Sequence, residues 1–240
     1  MNRIASNLIR QGFLSKENSK PTVILLSVPI ILTTFNYFGT KTFYLNHLAS
    51  AFILFENSDL SSVLYTFLAS FVLLGCIPAL IIKFIFRDPL SVYGVRMGDI
   101  RWGIKGFLLL APVIIGLAYL SSRTEPFRFE YPLYKGASRS LSMFSVHAFS
   151  YLVFYLGWEF FFRGYMQSGL EGAFGGWNAI LAQTLASCLL HSGKPLGEIY
   201  ASILGGVVLG IIAWRSRSLL FVILLHWLLG ASLDVFVSYF

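Results

Sequence analysis

The sequence carries little charge for its length. Charged residues make up 12% of its 240 positions and hydrophobic residues 56%, whereas about 25% of the residues in a soluble domain are charged. So few charges cannot cover the surface of a soluble protein, and we therefore expect a lipid bilayer to be the solvent for much of the chain. The length fits one compact helical bundle.

Cysteine is equally scarce. Cys76 and Cys188 both lie in apolar runs, which excludes a disulfide framework and a CxxC metal site.

The net charge of +7 does not indicate a nucleic-acid partner, because the basic residues are not interleaved with aromatic ones. Loops that face the cytoplasm and anionic lipid explain the excess of basic residues.

The first 21 residues are basic and lack the apolar core and cleavage site of a secretory signal. We interpret 1–21 as a retained cytoplasmic segment. More lysines and arginines fall in loops on this side of the predicted spans than on the other. The loop charges therefore predict a cytoplasmic N-terminus and an external C-terminus, in a bacterial cytoplasmic membrane.

Long apolar runs predict an all-α, polytopic transmembrane bundle of about seven spans. We expect N-terminal transmembrane helices and loops at 22–143 and a catalytic core at 144–240. The candidate spans are Thr22–Gly39, Ser61–Phe86, Trp102–Ser121, Phe144–Leu170, Trp177–His191, Gly197–Trp214 and Leu219–Phe240.

Ionisable residues interrupt three of these spans, in places where insertion of a charge costs about 2.5–3.5 kcal/mol. Glu159 and Arg163 lie in the fourth span, His191 ends the fifth, and His226 lies in the seventh. A helical rise of about 1.5 Å per residue puts Glu159, His191 and His226 roughly 13–21 Å from the cytoplasmic helix ends. We therefore expect a carboxylate and two imidazoles to meet inside the membrane.

Structural explanations compete with a functional one. Glu159 and Arg163 are four residues apart on one helix face, so they could form an ion pair that neutralises itself. Either imidazole alone could be a neutral side chain that is hydrogen-bonded to a backbone carbonyl. We expect Asp234 to lie near the outer boundary as a solvated or supporting carboxylate, and His147 to be incidental.

Three short motifs occur in order around these residues. They are "WEFFFR" at 158–163, "SCLLH" at 187–191 and "HWLLG" at 226–230. Together they resemble the EExxxR, FxxxH and HxxxN motifs of the CAAX-protease and bacteriocin-processing family of intramembrane proteases, also called the Abi family. Trp158 stands where that family has its first glutamate, and Gly230 stands where it has asparagine.

The resemblance implies an intramembrane endopeptidase that acts on a membrane-associated protein or peptide. It implies that Glu159 and His191 activate a water molecule and that His226 stands near the oxyanion. A nearby arginine lowers the pKa of a carboxylate, so we expect Arg163 to keep Glu159 ionised. Trp158 and Gly230 occupy supporting positions.

Two other functions remain open from the sequence. Trp158 and Gly230 are compatible with a catalytically inactive relative that serves as a membrane immunity or scaffold protein. A transporter that relays protons is the third hypothesis, although we find no inverted repeat or paired half-helices. Two histidines and a glutamate could also bind zinc, but the sequence lacks HExxH, and we expect a metal-free mechanism.

Overall fold

The computed structural model describes residues 19–53 and 57–240, and within these ranges it contains helices and no strand. The predicted cytoplasmic segment 1–21 lies outside the described residues except for its last three. The main helices are α1 (Ser19–Phe38), α2 (Lys41–His47), α3 (Ser58–Phe86, partly π-helical), α4 (Ile100–Ser122), α5 (Glu125–Glu130), α6 (Leu141–Glu159), α7 (Gly169–Leu190), α8 (Leu196–Ser216) and α9 (Leu220–Tyr239). A π-helical segment, Phe160–Ser168, joins α6 to α7, and short 3-10 turns lie at Leu90–Tyr93 and Ala137–Arg139.

Six helical stretches in the described part of the chain are long and apolar enough to cross a membrane. This finding confirms the predicted all-α, polytopic bundle. One of the six, Leu141–Leu190, has 50 residues and contains the fourth predicted span and all of the fifth except His191. The six stretches thus agree with a prediction of about seven spans, while the division into 22–143 and 144–240 stays a prediction.

Gly175 turns the 50-residue stretch back on itself. Its φ of 74° and ψ of 155° are not helical, and they fall in a region that glycine adopts without strain. The rings of Trp158 and His191 lie 5.4 Å apart, so the two arms on either side of Gly175 run antiparallel. Glu159 and His191 are 16 positions before and 16 positions after Gly175 (175 − 159 and 191 − 175), which puts them at the same level of the bundle.

The π-helical segment lies at the centre of the bundle. Every residue from Phe160 to Gln167 is buried, whereas α4, for example, exposes most of its surface and buries three residues. A helical segment that is buried on all sides contacts other helices rather than lipid. Arg163 is therefore held inside the protein, and so is Glu159, which directly precedes this segment and is 0% exposed.

The connection between α7 and α8 follows directly after Leu190. The loop that carries α5 contacts this connection and the start of α8, because its residues Glu130 and Tyr131 bond to Lys194 and Glu198.

Candidate active site

Glu159 and Arg163 form the buried ion pair at the centre of the site. Arg163 Nη1 lies 3.3 Å from Glu159 Oε1, and the side chains are 2% and 0% exposed. Their spacing of four residues places them on one face of a helix. A buried charge needs a partner of opposite sign, so Arg163 provides the local counter-charge for this carboxylate.

His226 reaches the same carboxylate from α9. Its Nδ1 lies 2.5 Å from Glu159 Oε1, and the imidazole side chain is 17% exposed whereas Glu159 is fully buried. The ring of Tyr155 lies over the imidazole, with 4.5 Å between ring centroids. The ionised Glu159 carboxylate therefore accepts hydrogen bonds from both Arg163 and His226.

His191 lies beside this cluster without a hydrogen bond to Glu159 among the described residues. Its Nδ1 lies 2.7 Å from the carbonyl oxygen of Ser187. Because a carbonyl oxygen accepts, Nδ1 carries the proton, and Nε2 of the neutral ring is an acceptor. His191 packs edge-on against Trp158.

Trp158 and Gly230 lie next to the cluster, and both are enclosed. Trp158 is 5% exposed, and its ring packs against Phe154 and Phe162. A Cβ atom at Gly230 would lie 2.3 Å from the hydroxyl oxygen of Tyr155. The Tyr155 hydroxyl thus occupies the space into which any side chain at position 230 would extend.

Three polar atoms of this cluster have no hydrogen-bond partner in the described part of the protein. They are Trp158 Nε1, Glu159 Oε2 and Arg163 Nε, and all three are buried. Buried polar atoms normally find a partner in the protein or in an ordered water molecule.

Asp234 is buried, and it pairs with His147. We expected a solvated or supporting carboxylate at Asp234 and an incidental His147, but the Asp234 and His147 side chains are 1% and 0% exposed and His147 Nε2 lies 3.0 Å from Asp234 Oδ2. The apolar packing of α6 against α9 encloses them, so the solvated placement was wrong. Phe67 and Tyr151 also pack against the His147 ring.

Sequence reasoning missed a polar cluster between the loop that carries α5 and the start of α8. The hydroxyl of Tyr131 donates to Glu198 Oε1 at 2.8 Å, and Lys194 Nζ lies 2.5 Å from Glu130 Oε1. Burial, and after it the negative charge of Glu198, raises the pKa of Tyr131 well above its usual value, so its hydroxyl stays protonated and donates. The spacing of seven residues between His191 and Glu198 was the available signal, because a short turn brings residues on both sides of it together.

A metal site is not evident in residues 19–53 and 57–240. No group of three or more histidine, cysteine, aspartate or glutamate side chains in these ranges is arranged to hold an ion. The candidate site consists instead of a carboxylate, a guanidinium and two imidazoles. This set can move protons and stabilise charge without an ion.

Residues 140–232 match the family model described as Rce1-like, Type II CAAX prenyl endopeptidase Rce1-like. The matched segment contains all three motifs, at 158–163, 187–191 and 226–230, and confirms the resemblance that they indicate. No curated protein and no solved structure is a match for the chain. At the level of this family, the match supports a CAAX-type protease in a multi-pass membrane protein.

Proposed function

We propose that this protein, whose residues 140–232 are Rce1-like, is an integral-membrane endopeptidase. It hydrolyses a peptide bond of a membrane-associated protein or peptide by means of a water molecule that a glutamate and a histidine activate. One observation carries the proposal, namely the contact of 2.5 Å between Glu159 Oε1 and His226 Nδ1 inside the bundle.

The exposure of the two side chains supports a division of roles between them. Glu159 is fully buried and His226 is 17% exposed, so the imidazole is the member of the pair that water and a substrate can reach. The carboxylate holds the proton on Nδ1, which leaves Nε2 as the acceptor. This arrangement follows the logic of a carboxylate–histidine pair in hydrolases, where the carboxylate fixes the tautomer and stabilises the imidazolium.

The proposed step balances as a hydrolysis. His226 Nε2 takes a proton from the water as its oxygen attacks the carbonyl carbon, and the carbon–nitrogen bond breaks when the imidazolium returns that proton to the leaving amine. Glu159 remains ionised throughout because Arg163 lies beside it. His191, with its own Nε2 free to accept, helps to orient the water.

The position of His226 and Glu159 requires a substrate that reaches the interior of the membrane-spanning bundle. His226 and Glu159 lie in helices that are apolar enough to cross a bilayer, so a peptide must enter the bundle to reach them. We propose a bacterial cytoplasmic membrane and a cytoplasmic N-terminus, supported by the distribution of basic residues in the loops.

The experiment compares the wild-type protein and Glu159→Gln in liposomes with a fluorogenic peptide that carries a lipid anchor. We expect the wild type to cleave and Glu159→Gln to lose at least about 10²-fold in kcat. An amide does not stabilise the His226 imidazolium, and it does not fix the tautomer of the neutral imidazole. Glu171→Gln is the matched control, since Glu171 pairs with Arg217 far from His226 and should cleave normally. Normal cleavage by a folded Glu159→Gln protein would refute the proposed mechanism.

A second candidate function is a catalytically inactive relative that acts as a membrane immunity or scaffold protein. Its support is the Tyr155 hydroxyl that fills the space beside Gly230 and the apolar Trp158 at the first motif position. In that case the wild-type protein and Glu159→Gln both fail to cleave every anchored peptide, although both are folded.

A further inference from the structure

Tyr155 packs directly against the imidazole of His226. The centroids of the two rings are 4.5 Å apart, and their planes are inclined by 39°. Two aromatic rings whose centres are this close meet through a ring face rather than edge to edge. The imidazole therefore has the Glu159 carboxylate at Nδ1, at 2.5 Å, and the phenol ring of Tyr155 against its face.

One turn of α6 and one turn of α9 interlock to produce this arrangement. Tyr155 and Glu159 are four residues apart in α6, and His226 and Gly230 are four residues apart in α9, so each pair shares a helix face. A Cβ atom at Gly230 would lie 2.3 Å from the hydroxyl oxygen of Tyr155. The absence of a side chain at position 230 is therefore what admits the Tyr155 ring beside His226.

Other aromatic rings hold Tyr155 in place. The ring of Tyr151, one turn earlier in α6, lies 4.6 Å from that of Tyr155, and Tyr151 is itself stacked on Phe67 of α3 at 4.7 Å. Phe154 contacts Tyr155 edge-on at 5.4 Å. The Tyr155 side chain is 4% exposed, so its ring has little freedom to turn away from the imidazole.

We infer that Tyr155 is a positioning residue for the proposed reaction, because its ring orients the His226 imidazole and stabilises the positive charge that this imidazole acquires when it takes a proton from water. This inference rests on the proposed function, in which His226 is the base. Tyr155 acts through His226 and needs no contact with the substrate.

The physical reason is the charge distribution of an aromatic ring. The face of the ring is electron-rich and attracts a cation within about 6 Å of its centroid, more strongly where water is excluded. The Glu159 carboxylate is already shared with Arg163, whose Nη1 lies 3.3 Å from Oε1. The Tyr155 ring adds attraction for the imidazolium without adding a buried charge that would need its own partner. Because the ring is already in place, it costs no reorganisation during the reaction.

The test uses the full-length protein in liposomes with the lipid-anchored fluorogenic peptide. Tyr155→Leu removes the ring and should lower kcat roughly 3- to 30-fold with KM changed less than about twofold. Tyr155→Phe keeps the ring and should retain most of kcat. Tyr165→Leu is the matched control, because Tyr165 is also buried but its hydroxyl lies 2.7 Å from that of Ser27. It should lower thermal stability and leave kcat unchanged.

A series of fluorinated phenylalanines at position 155 separates the charge of the ring face from its packing. Fluorine withdraws electron density from the face and changes the size of the ring little. We expect kcat to fall stepwise as fluorine atoms are added, while KM and the melting temperature stay nearly constant. This series also decides the question if Tyr155→Leu does not fold.

Three results would overturn the inference. One is a kcat that stays constant along the fluorinated series, which would mean that the ring only fills space. Another is an equal loss of kcat in Tyr155→Phe and Tyr155→Leu, which would assign the effect to the hydroxyl. The third is an increase in KM alone, which would make Tyr155 a substrate-binding residue.

The proposed function and this inference fail in different ways. If the wild type cleaves, Glu159→Gln does not, and a folded Tyr155→Leu protein cleaves normally, only the role of Tyr155 is wrong. If the wild type does not cleave any anchored peptide, the proposed function is wrong and the role of Tyr155 falls with it.

Discussion

His226 Nδ1 and Glu159 Oε1 lie 2.5 Å apart, although the two residues belong to different helices and 67 positions separate them in the chain. The contact joins α6 to α9 inside a bundle in which the six candidate spans found among the described residues contain little charge. Because Arg163 shares the same carboxylate oxygen, the acid has two donors of different kinds. The three side chains are thus one unit, and changes to any of them should affect the other two.

Removal of Arg163 should harm folding more than removal of both charges. Arg163→Ala leaves a buried carboxylate without its counter-charge, which costs about 3–5 kcal/mol. The double change of Glu159 to Gln and Arg163 to Met removes the pair together and should unfold at a higher temperature than Arg163→Ala, but it should not cleave. Thermal unfolding and turnover of the two variants check this. A stable double variant that still cleaves would mean that the pair is scaffolding.

The hydroxyl of Tyr155 should make position 230 intolerant of side chains. Gly230→Ala puts a Cβ atom 2.3 Å from that hydroxyl oxygen, and overpacking of this kind costs about 1–3 kcal/mol. Adding Tyr155→Phe removes the closest atom and should restore part of the lost thermal stability. Gly205→Ala in α8, where nothing lies within 4 Å, is the control and should not be destabilised. Equal melting temperatures for Gly230→Ala and wild type would contradict the close contact.

Chelation should leave the activity intact. The proposed mechanism uses two imidazoles and a carboxylate without an ion, so EDTA should not reduce cleavage and the purified protein should contain no stoichiometric zinc. Cleavage rates with and without EDTA, together with metal analysis of the purified protein, check this. Loss of activity that zinc restores would establish the alternative metal mechanism.

The two ends of the described chain should face opposite sides of the membrane. Lys20 pairs with Asp88 at one end of the bundle, and Arg123 bonds to the backbone of Phe240 at the other. With the loop charges, this arrangement predicts a cytoplasmic N-terminus and an external C-terminus. A reporter that requires the cytoplasm should be inactive when fused after Phe240 and active in the loop that contains Arg96. The opposite pattern would reverse the orientation.

Asp88 should contribute to stability in a pH-dependent way. Partial burial opposes its ionisation, but hydrogen bonds from Lys20 and Tyr93 lower the pKa of Asp88 below its usual value. A lowered pKa in the folded state adds stability above the unfolded value, near about 3.9, and that contribution is lost as the pH falls through the folded value. Asp88→Asn should therefore melt below the wild type at pH 7, with a difference that shrinks below about pH 4. A constant difference across that range would show that the charge is not responsible.

The sequence predicts the levels of the site residues well because helical rise is nearly constant. Counting from the helix ends placed Glu159, His191 and His226 at similar depth, and the turn at Gly175 brings the first two to one level. The fold class follows in the same way from apolar run length. Residue depth depends on the regular geometry of a helix, and fold class depends on how long each apolar run is relative to the bilayer. Both can therefore be read from a single sequence.

The partners within the site could not be predicted in the same way. The motif resemblance pairs Glu159 with His191, whereas the hydrogen bond in the structure joins Glu159 to His226. Which imidazole bonds to the acid depends on the rotation of α7 and α9 about their axes, and periodicity in nearly uniform apolar helices does not define that rotation. Asp234 was misplaced for the same reason, because helix position alone does not say that α6 covers it.

The order of synthesis gives the α6–α9 contact a further consequence. Arg163 follows Glu159 by four residues, so the ion pair can form as soon as the ribosome has released that helix. His226 is made 67 residues later and can reach the acid only when α9 has entered the bilayer and joined its neighbours. Insertion of α9 is thus the event that completes the site, and the nascent chain cannot hydrolyse membrane proteins by the proposed route before that moment.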